Sequence, residues 1–247
     1  MKNLAKIIND KEIHVYDKSQ FDWYAIRNCG QIFRDPPCEI MEEADKIIIK
    51  ATGDKTAAWL WNFFDLDTNY SVVKDILSQH TVLRQPIEAG GGIRILRQPF
   101  IECVISFIIS ANNNIKRFSK TLGAIGEFTL ENLSRFTESD FKKIGCGYRA
   151  PYLVKAVKQL STFSFQFSVL SMLSNDLLRK ELMRLSGVGP KVADCVMLFA
   201  FHRLDIVPVD TWIKSAQEHI DFSQFEQYAG VAQQYVFFYL QHLRKEL

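Results

Sequence analysis

Residues 99–110 read PFIECVISFIIS, a run that is apolar on nearly every face of a helix. A helix of that kind is stable in water only when other elements cover it on all sides, so the chain must supply a shell around it. The run is too short to cross a bilayer, which takes about 20 apolar residues. Downstream the shell is legible. Pro151 stands at the favoured start of a helix that carries Leu153, Val157 and Leu160 at helical spacing. Residues 175–185 place Leu178, Leu182 and Leu185 on one stripe, and residues 191–201 do the same with Val192, Val196 and Phe199. A further helix is expected to start at Asp210, and a last one covers 228–243.

Upstream the pattern changes. Residues 12–16 alternate weakly, 31–34 form a short β-like run, and 46–51 form a β-branched run closed by Thr52-Gly53-Asp54. These predict antiparallel strands. Residues 70–79 predict a short helix with Val73, Ile76 and Leu77 on one face. Gly90-Gly91-Gly92 breaks the composition. The expected fold class is α+β: a small N-terminal antiparallel β-sheet domain with short helices over 1–92, then an all-helical domain over 93–247. That second domain would contain a helix-hairpin-helix at about 175–201.

A net charge of +2 permits a nucleic-acid partner without arguing for one, so any such claim must rest on a local surface. The five cysteines, Cys29, Cys38, Cys103, Cys146 and Cys195, are odd in number, widely spaced and include no CxxC pair. That argues against a disulfide framework and against a zinc or iron–sulfur site. Reduced thiols, no apolar span and an N-terminus that soon meets charge predict a soluble intracellular protein without a membrane partner, in the cytoplasm or nucleoid, or the nucleus if eukaryotic.

Between two of the predicted helices lies Leu185-Ser186-Gly187-Val188-Gly189-Pro190-Lys191. Gly187 and Gly189 allow a tight turn and a close approach by another molecule. The helix that follows presents unpaired N–H groups, a ready site for a phosphate. The plain alternative is a helix–helix turn with a glycine C-cap. Lys191 falls in the first turn of its helix, where a cation opposes the dipole, and residues that break a local rule are often functional. It reads equally as a nucleophilic lysine able to form a Schiff base or as a lysine facing phosphate. Asp210 reads as an N-cap, a role compatible with stabilising nearby positive charge.

The whole segment LSGVGPKVADCVMLFAFHRLDIVPVDTW resembles the helix-hairpin-helix and Gly/Pro…Asp signature of the base-excision DNA glycosylases. Within them it is similar to the 8-oxoguanine DNA glycosylase/lyase branch. The resemblance implies Lys191 as nucleophile and Asp210 as catalytic carboxylate, with Gly187, Val188 and Gly189 on DNA. It extends to GIRILRQPFIECVISFIISANNNIKR, where Asn112 would fill the space left by a flipped nucleotide. In Gly145-Cys146-Gly147-Tyr148-Arg149-Ala150-Pro151, Tyr148 would wedge into the stack. Arg149 and Arg117 would donate to the orphaned base, and donor-only arginine suits cytosine. Phosphate contacts are the alternative for both arginines.

The resemblance also implies a base pocket. The Gly30 carbonyl would accept from the N7–H that distinguishes 8-oxoguanine from guanine, Cys195 and Phe237 would sandwich the base, and Gln233 would read its Watson–Crick edge. As sequence alone, Cys195 and Phe237 read as core. Where many relatives carry histidine two positions after the aspartate, this chain has Trp212. The implied enzyme is a monomeric bifunctional glycosylase/lyase acting on double-stranded DNA that contains 8-oxoguanine, preferably opposite cytosine. It needs no cofactor, with a structural cation allowed at the hairpin's backbone carbonyls. A glycosylase for another damaged base and a non-catalytic helix-hairpin-helix module are the competing readings.

Overall fold

The computed structural model describes residues 4–111, 115–162 and 165–243, which group into two compact units. The first takes the described residues up to Arg97 together with those from Leu204 onward. Its sheet has the order β1-β2-β4-β3, from β1 (Ala5–Asn9), β2 (Glu12–Val15), β3 (Cys38–Glu42) and β4 (Ile47–Ala51), with every neighbouring pair antiparallel. Ile13 faces Ile49 and Val15 faces Ile47 across β2 and β4, so branched side chains stack on one buried face. Phe21, Leu60 and Phe64 join the same core, with Phe21 edge-on to Phe64 at 5.2 Å.

The runs at 12–16 and 46–51 are β2 and β4. The two edge strands escape pattern reading, because β1 leaves Ile7 and Ile8 exposed and β3 carries charge at Glu39 and Glu42. Short, charged edges are how sheets avoid pairing with other chains. Residues 31–34 are not a strand. The buried Gln31 side chain bonds the backbone of Arg94 and Leu96 there, taking the place of a ladder.

The division expected at residue 92 does not match the observed one. Helix Ala229–Leu243 groups with the sheet-bearing unit, where Tyr235 Oη donates to the Ile93 carbonyl at 3.4 Å and Tyr239 Oη to Gln85 Oε1 at 2.8 Å. A glycine run marks a change of composition, whereas the grouping is set by which buried faces meet.

The second unit covers Gln98–Arg203. Helix Phe100–Ser110 is buried continuously from Cys103 to Ile109, as its composition demands. Helices Ile115–Ile125, Ala150–Leu160 and Pro190–Phe199 pack against it, and Phe107 stacks on Phe199 with ring centroids 5.6 Å apart. Helix Asn175–Leu182 pairs with helix Pro190–Phe199, and Arg179 Nε donates to Asp194 Oδ1 at 2.6 Å between them. Burial pushes the Asp194 carboxyl up, and Arg179 opposes that shift. Among the described residues no helix is long and apolar enough to cross a membrane.

Candidate active site

The hairpin is built as its glycines require. Gly187 has φ +85°, and a Cβ there would sit 3.0 Å from Tyr152 Cβ and 3.2 Å from Ile108 Cγ2. Its lack of a side chain is therefore needed by the fold itself. Val188 points inward and is buried. Gly189 is the N-cap of helix Pro190–Phe199, with ordinary extended backbone and open space where a Cβ would stand. No side chain caps this helix.

Lys191 lies in the first turn, half-buried, with Nζ 5.2 Å from the centroid of the Phe107 ring. The ring belongs to the buried helix and gives the lysine stem a fixed floor. Cys195 follows one helical turn after Lys191 and is buried. The Cys103 thiol is pushed well above its ordinary range by burial and then by the neighbouring Cys195.

In the same unit Arg149 is 6% exposed and donates through Nε to the Ala111 carbonyl at 2.8 Å, with a second bond from Nη2 to the same oxygen. Its guanidinium lies 4.4 Å from the ring centroid of Tyr148, which is 59% exposed. Two of the sequence segments are thereby brought together, since Ala111 ends the buried helix immediately before Asn112. Asn112 itself lies outside the described residues, as does the side chain of Arg117 on helix Ile115–Ile125.

The sheet-bearing unit holds the other candidates. Asp210 is the N-cap of helix Thr211–Ala216, and its Oδ1 accepts from Trp212 N at 3.0 Å and Ile213 N at 2.9 Å. Trp212 thus meets the aspartate through its backbone. Gly30 has φ +77°, and a Cβ on it would fall 2.6 Å from Phe237 Cε1. Phe237 is half-buried on helix Ala229–Leu243, and Gln233 precedes it by one turn. Gln233 is buried, with its Oε1 accepting from Gln234 Nε2 at 2.8 Å. Gly30 and Phe237, distant in sequence, are therefore brought into contact, with Gln233 one turn before Phe237 on the same helix. Among the described residues no three His, Cys, Asp or Glu side chains cluster.

Comparison with known proteins gives this arrangement a context. Residues 14–104 match the family model "8-oxoguanine DNA glycosylase, N-terminal domain". The 8-oxoguanine glycosylase/lyase of Clostridium acetobutylicum, in its apo form, is 30% identical, with a TM-score of 0.84 over 94% of this chain and 97% of that one. The chain belongs to the 8-oxoguanine DNA glycosylase/lyase family. The same Clostridium enzyme bound to double-stranded DNA with cytosine opposite 8-oxoguanine superposes with a TM-score of 0.86 at 28% identity, over 98% of this chain and 99% of that one. A probable N-glycosylase/DNA lyase of Methanothermobacter thermautotrophicus is 29% identical over 64% of this chain and 60% of its own length. The N-glycosylase/DNA lyase OGG1 of Arabidopsis thaliana is 38% identical over 49% of this chain and 39% of its own. The matched stretch thus spans less than two thirds of these curated relatives.

Three neighbours of the candidate residues were missed from sequence: Phe107 beneath Lys191, the Ala111 carbonyl that holds Arg149, and Gln31, whose side chain is bonded to the Arg94 carbonyl. Phe107 looked like one more core aromatic. A carbonyl carries no sequence signal. Gln31 could have been found as a polar residue inside an apolar run.

Proposed function

We propose that the chain is a bifunctional DNA glycosylase/lyase that releases 8-oxoguanine from double-stranded DNA and then nicks the strand. The observation that carries this is Lys191, placed in the first turn of a helix with no side-chain cap and seated over Phe107. A structural lysine gains little there, whereas an amine held firmly on an apolar floor can attack carbon.

In this reading the damaged nucleotide is turned out of the stack. The Lys191 amine attacks C1′ through its lone pair, the C1′–N9 bond breaks, and the base leaves with the bonding electrons. Asp210 offsets the positive charge that develops on the sugar. A proton then passes from Nζ to O4′ as the C1′–O4′ bond breaks, which leaves a protonated Schiff base between Lys191 Nζ and C1′. Loss of a C2′ proton then expels the 3′ phosphate by β-elimination. No step calls for a metal or organic cofactor.

Gly30 accepts from the N7–H of the lesion, Phe237 and Cys195 flank the ring, and Gln233 binds its Watson–Crick edge. Asn112, Arg117, Tyr148 and Arg149 hold the gapped duplex, with cytosine preferred opposite because arginine only donates. Gly187 and Gly189 present backbone N–H groups to a phosphate on either side of Val188, whose own N–H is held by the Leu185 carbonyl at 3.1 Å. The enzyme acts as a monomer inside the cell.

The test is to incubate the protein with an 8-oxoguanine·cytosine duplex and borohydride. A covalent adduct that disappears in Lys191→Gln supports the reading. Intact, salt-sensitive duplex binding with no adduct leaves a tethering module instead.

A further inference from the structure

Gly30 does not hold its own position. It follows the C-terminus of helix Trp23–Asn28 in a turn with positive φ, outside any strand. Its neighbour Gln31 is completely buried. The Gln31 amide donates through Nε2 to the Arg94 carbonyl at 2.8 Å, to Cys29 Sγ at 3.0 Å and to the Ile26 carbonyl at 3.4 Å, while Oε1 accepts from Leu96 N at 2.9 Å. One side chain thus ties both sides of the Gly30 turn to the extended segment at 94–96.

That segment is itself anchored. The Arg94 guanidinium is fully buried and donates to the carbonyls of Phe64 (2.9 Å), Gln20 (3.0 Å), Thr68 (2.7 Å) and Asp65. Ile95 N donates to Tyr70 Oη at 2.9 Å. Buried polar networks with their bonds made are rigid, and a carbonyl that must meet one N–H needs a rigid support. The amide also satisfies the Arg94 carbonyl and the Leu96 N–H, so position 31 is part of the hydrogen-bonded support of the turn and not a packing position alone.

We propose that Gln31 is a positioning residue for lesion specificity, fixing the Gly30 carbonyl so that it meets the N7–H of 8-oxoguanine. The inference rests on the reading of Gly30 given above. It assigns Gln31 no part in the lysine chemistry, so the two activities separate. Release of the base depends on Gln31, and cleavage of an abasic site that has no base to recognise does not.

The experiment uses the full chain with Gln31→Met, which keeps the volume and loses the four hydrogen bonds of the amide, and Ile49→Ala as a control that weakens the same unit through its sheet core. For each protein, single-turnover release is measured from 8-oxoguanine·cytosine duplex and from the analogue in which carbon replaces N7 and its N–H donor. Cleavage of a preformed abasic duplex and the Tm are measured alongside. In the unsubstituted protein the lesion outruns the analogue. In Gln31→Met that ratio falls roughly tenfold, the scale of one lost hydrogen bond, while abasic cleavage stays within about twofold. Ile49→Ala lowers Tm and leaves the ratio in place.

A ratio unchanged in Gln31→Met, or a fall in abasic cleavage equal to the fall in base release, overturns the proposal. If the unsubstituted protein treats lesion and analogue alike, the Gly30 reading fails first and takes the inference with it. Should Gln31→Met not fold, Gln31→Asn, which retains the amide but is one methylene short, carries the same test.

Discussion

Helix Pro190–Phe199 begins at Gly189 with no side chain on its first N–H groups, whereas helix Thr211–Ala216 begins at Asp210, whose Oδ1 takes two of them. The first adds a cation, Lys191, to the positive end of its dipole. The second brings its carboxylate to the end where a negative charge is favoured. Asp22, Thr56, Thr129 and Thr137 follow the second plan, each accepting from a backbone N–H at a helix start. On the proposed reading the contrast separates two kinds of functional residue: one is visible because its charge opposes the helix it starts, and the other is hidden because the fold would want it anyway.

The sharpest break between the two is a substitution at each. Lys191→Gln is expected to remove the borohydride-trapped adduct and strand nicking to background while leaving stability almost untouched. Relief of the unfavourable dipole contact, about 0.3–1 kcal/mol, is offset by loss of the contact with Phe107, about 0.5–1 kcal/mol. A Tm drop of many degrees together with retained adduct would remove Lys191 from the chemistry.

Asp210 needs two variants, because it serves two purposes. Asparagine caps as well as aspartate, so Asp210→Asn is expected to keep the Tm and slow base release roughly 10²–10³-fold through loss of the charge. Asp210→Ala is expected to slow release as far and also to lose about 1 kcal/mol of stability. Equal rates for Asp210→Asn and the unsubstituted protein would return Asp210 to a purely structural role.

The buried helix at 100–110 and the hairpin were legible in sequence because each depends on local rules, apolar periodicity and glycine chemistry. The strands at β2 and β4 were legible for the same reason. What stayed hidden depends on tertiary contact. The C-terminal helix reads as part of a helical body until Tyr235 and Tyr239 are seen bonded to Ile93 and Gln85. Gly30 and Phe237 were named by resemblance alone, since nothing local says that a turn near residue 30 meets a ring near 237. That contact gives a test of intermediate size. Gly30→Ala places a methyl 2.6 Å from Phe237 in a backbone region that L residues avoid. It is expected to lower 8-oxoguanine release by roughly tenfold or more through displacement of turn and ring. Abasic-site cleavage should continue. Equal loss of both activities would mean that the contact supports the fold and not the pocket.

The smallest expected effects lie within the hairpin, where two glycines stand two residues apart for different reasons. Gly187→Ala forces a side chain into a left-handed turn and against Tyr152, at a cost of about 1–2 kcal/mol for the backbone alone. Gly189→Ala meets no atom and no forbidden backbone, so the fold should lose only a few tenths to about 1 kcal/mol, the scale of a weaker cap. Its expected effect is instead on the outside, where the added methyl keeps a phosphate from the open N–H groups. Chemical denaturation and the salt dependence of duplex binding, measured on both variants, separate the two reasons. Gly187→Ala should move the first and Gly189→Ala the second. If Gly189→Ala binds duplex as the unsubstituted protein does, the uncapped start of helix Pro190–Phe199 is not a phosphate site. Its contrast with the capped start at Asp210 would then rest on Lys191 alone.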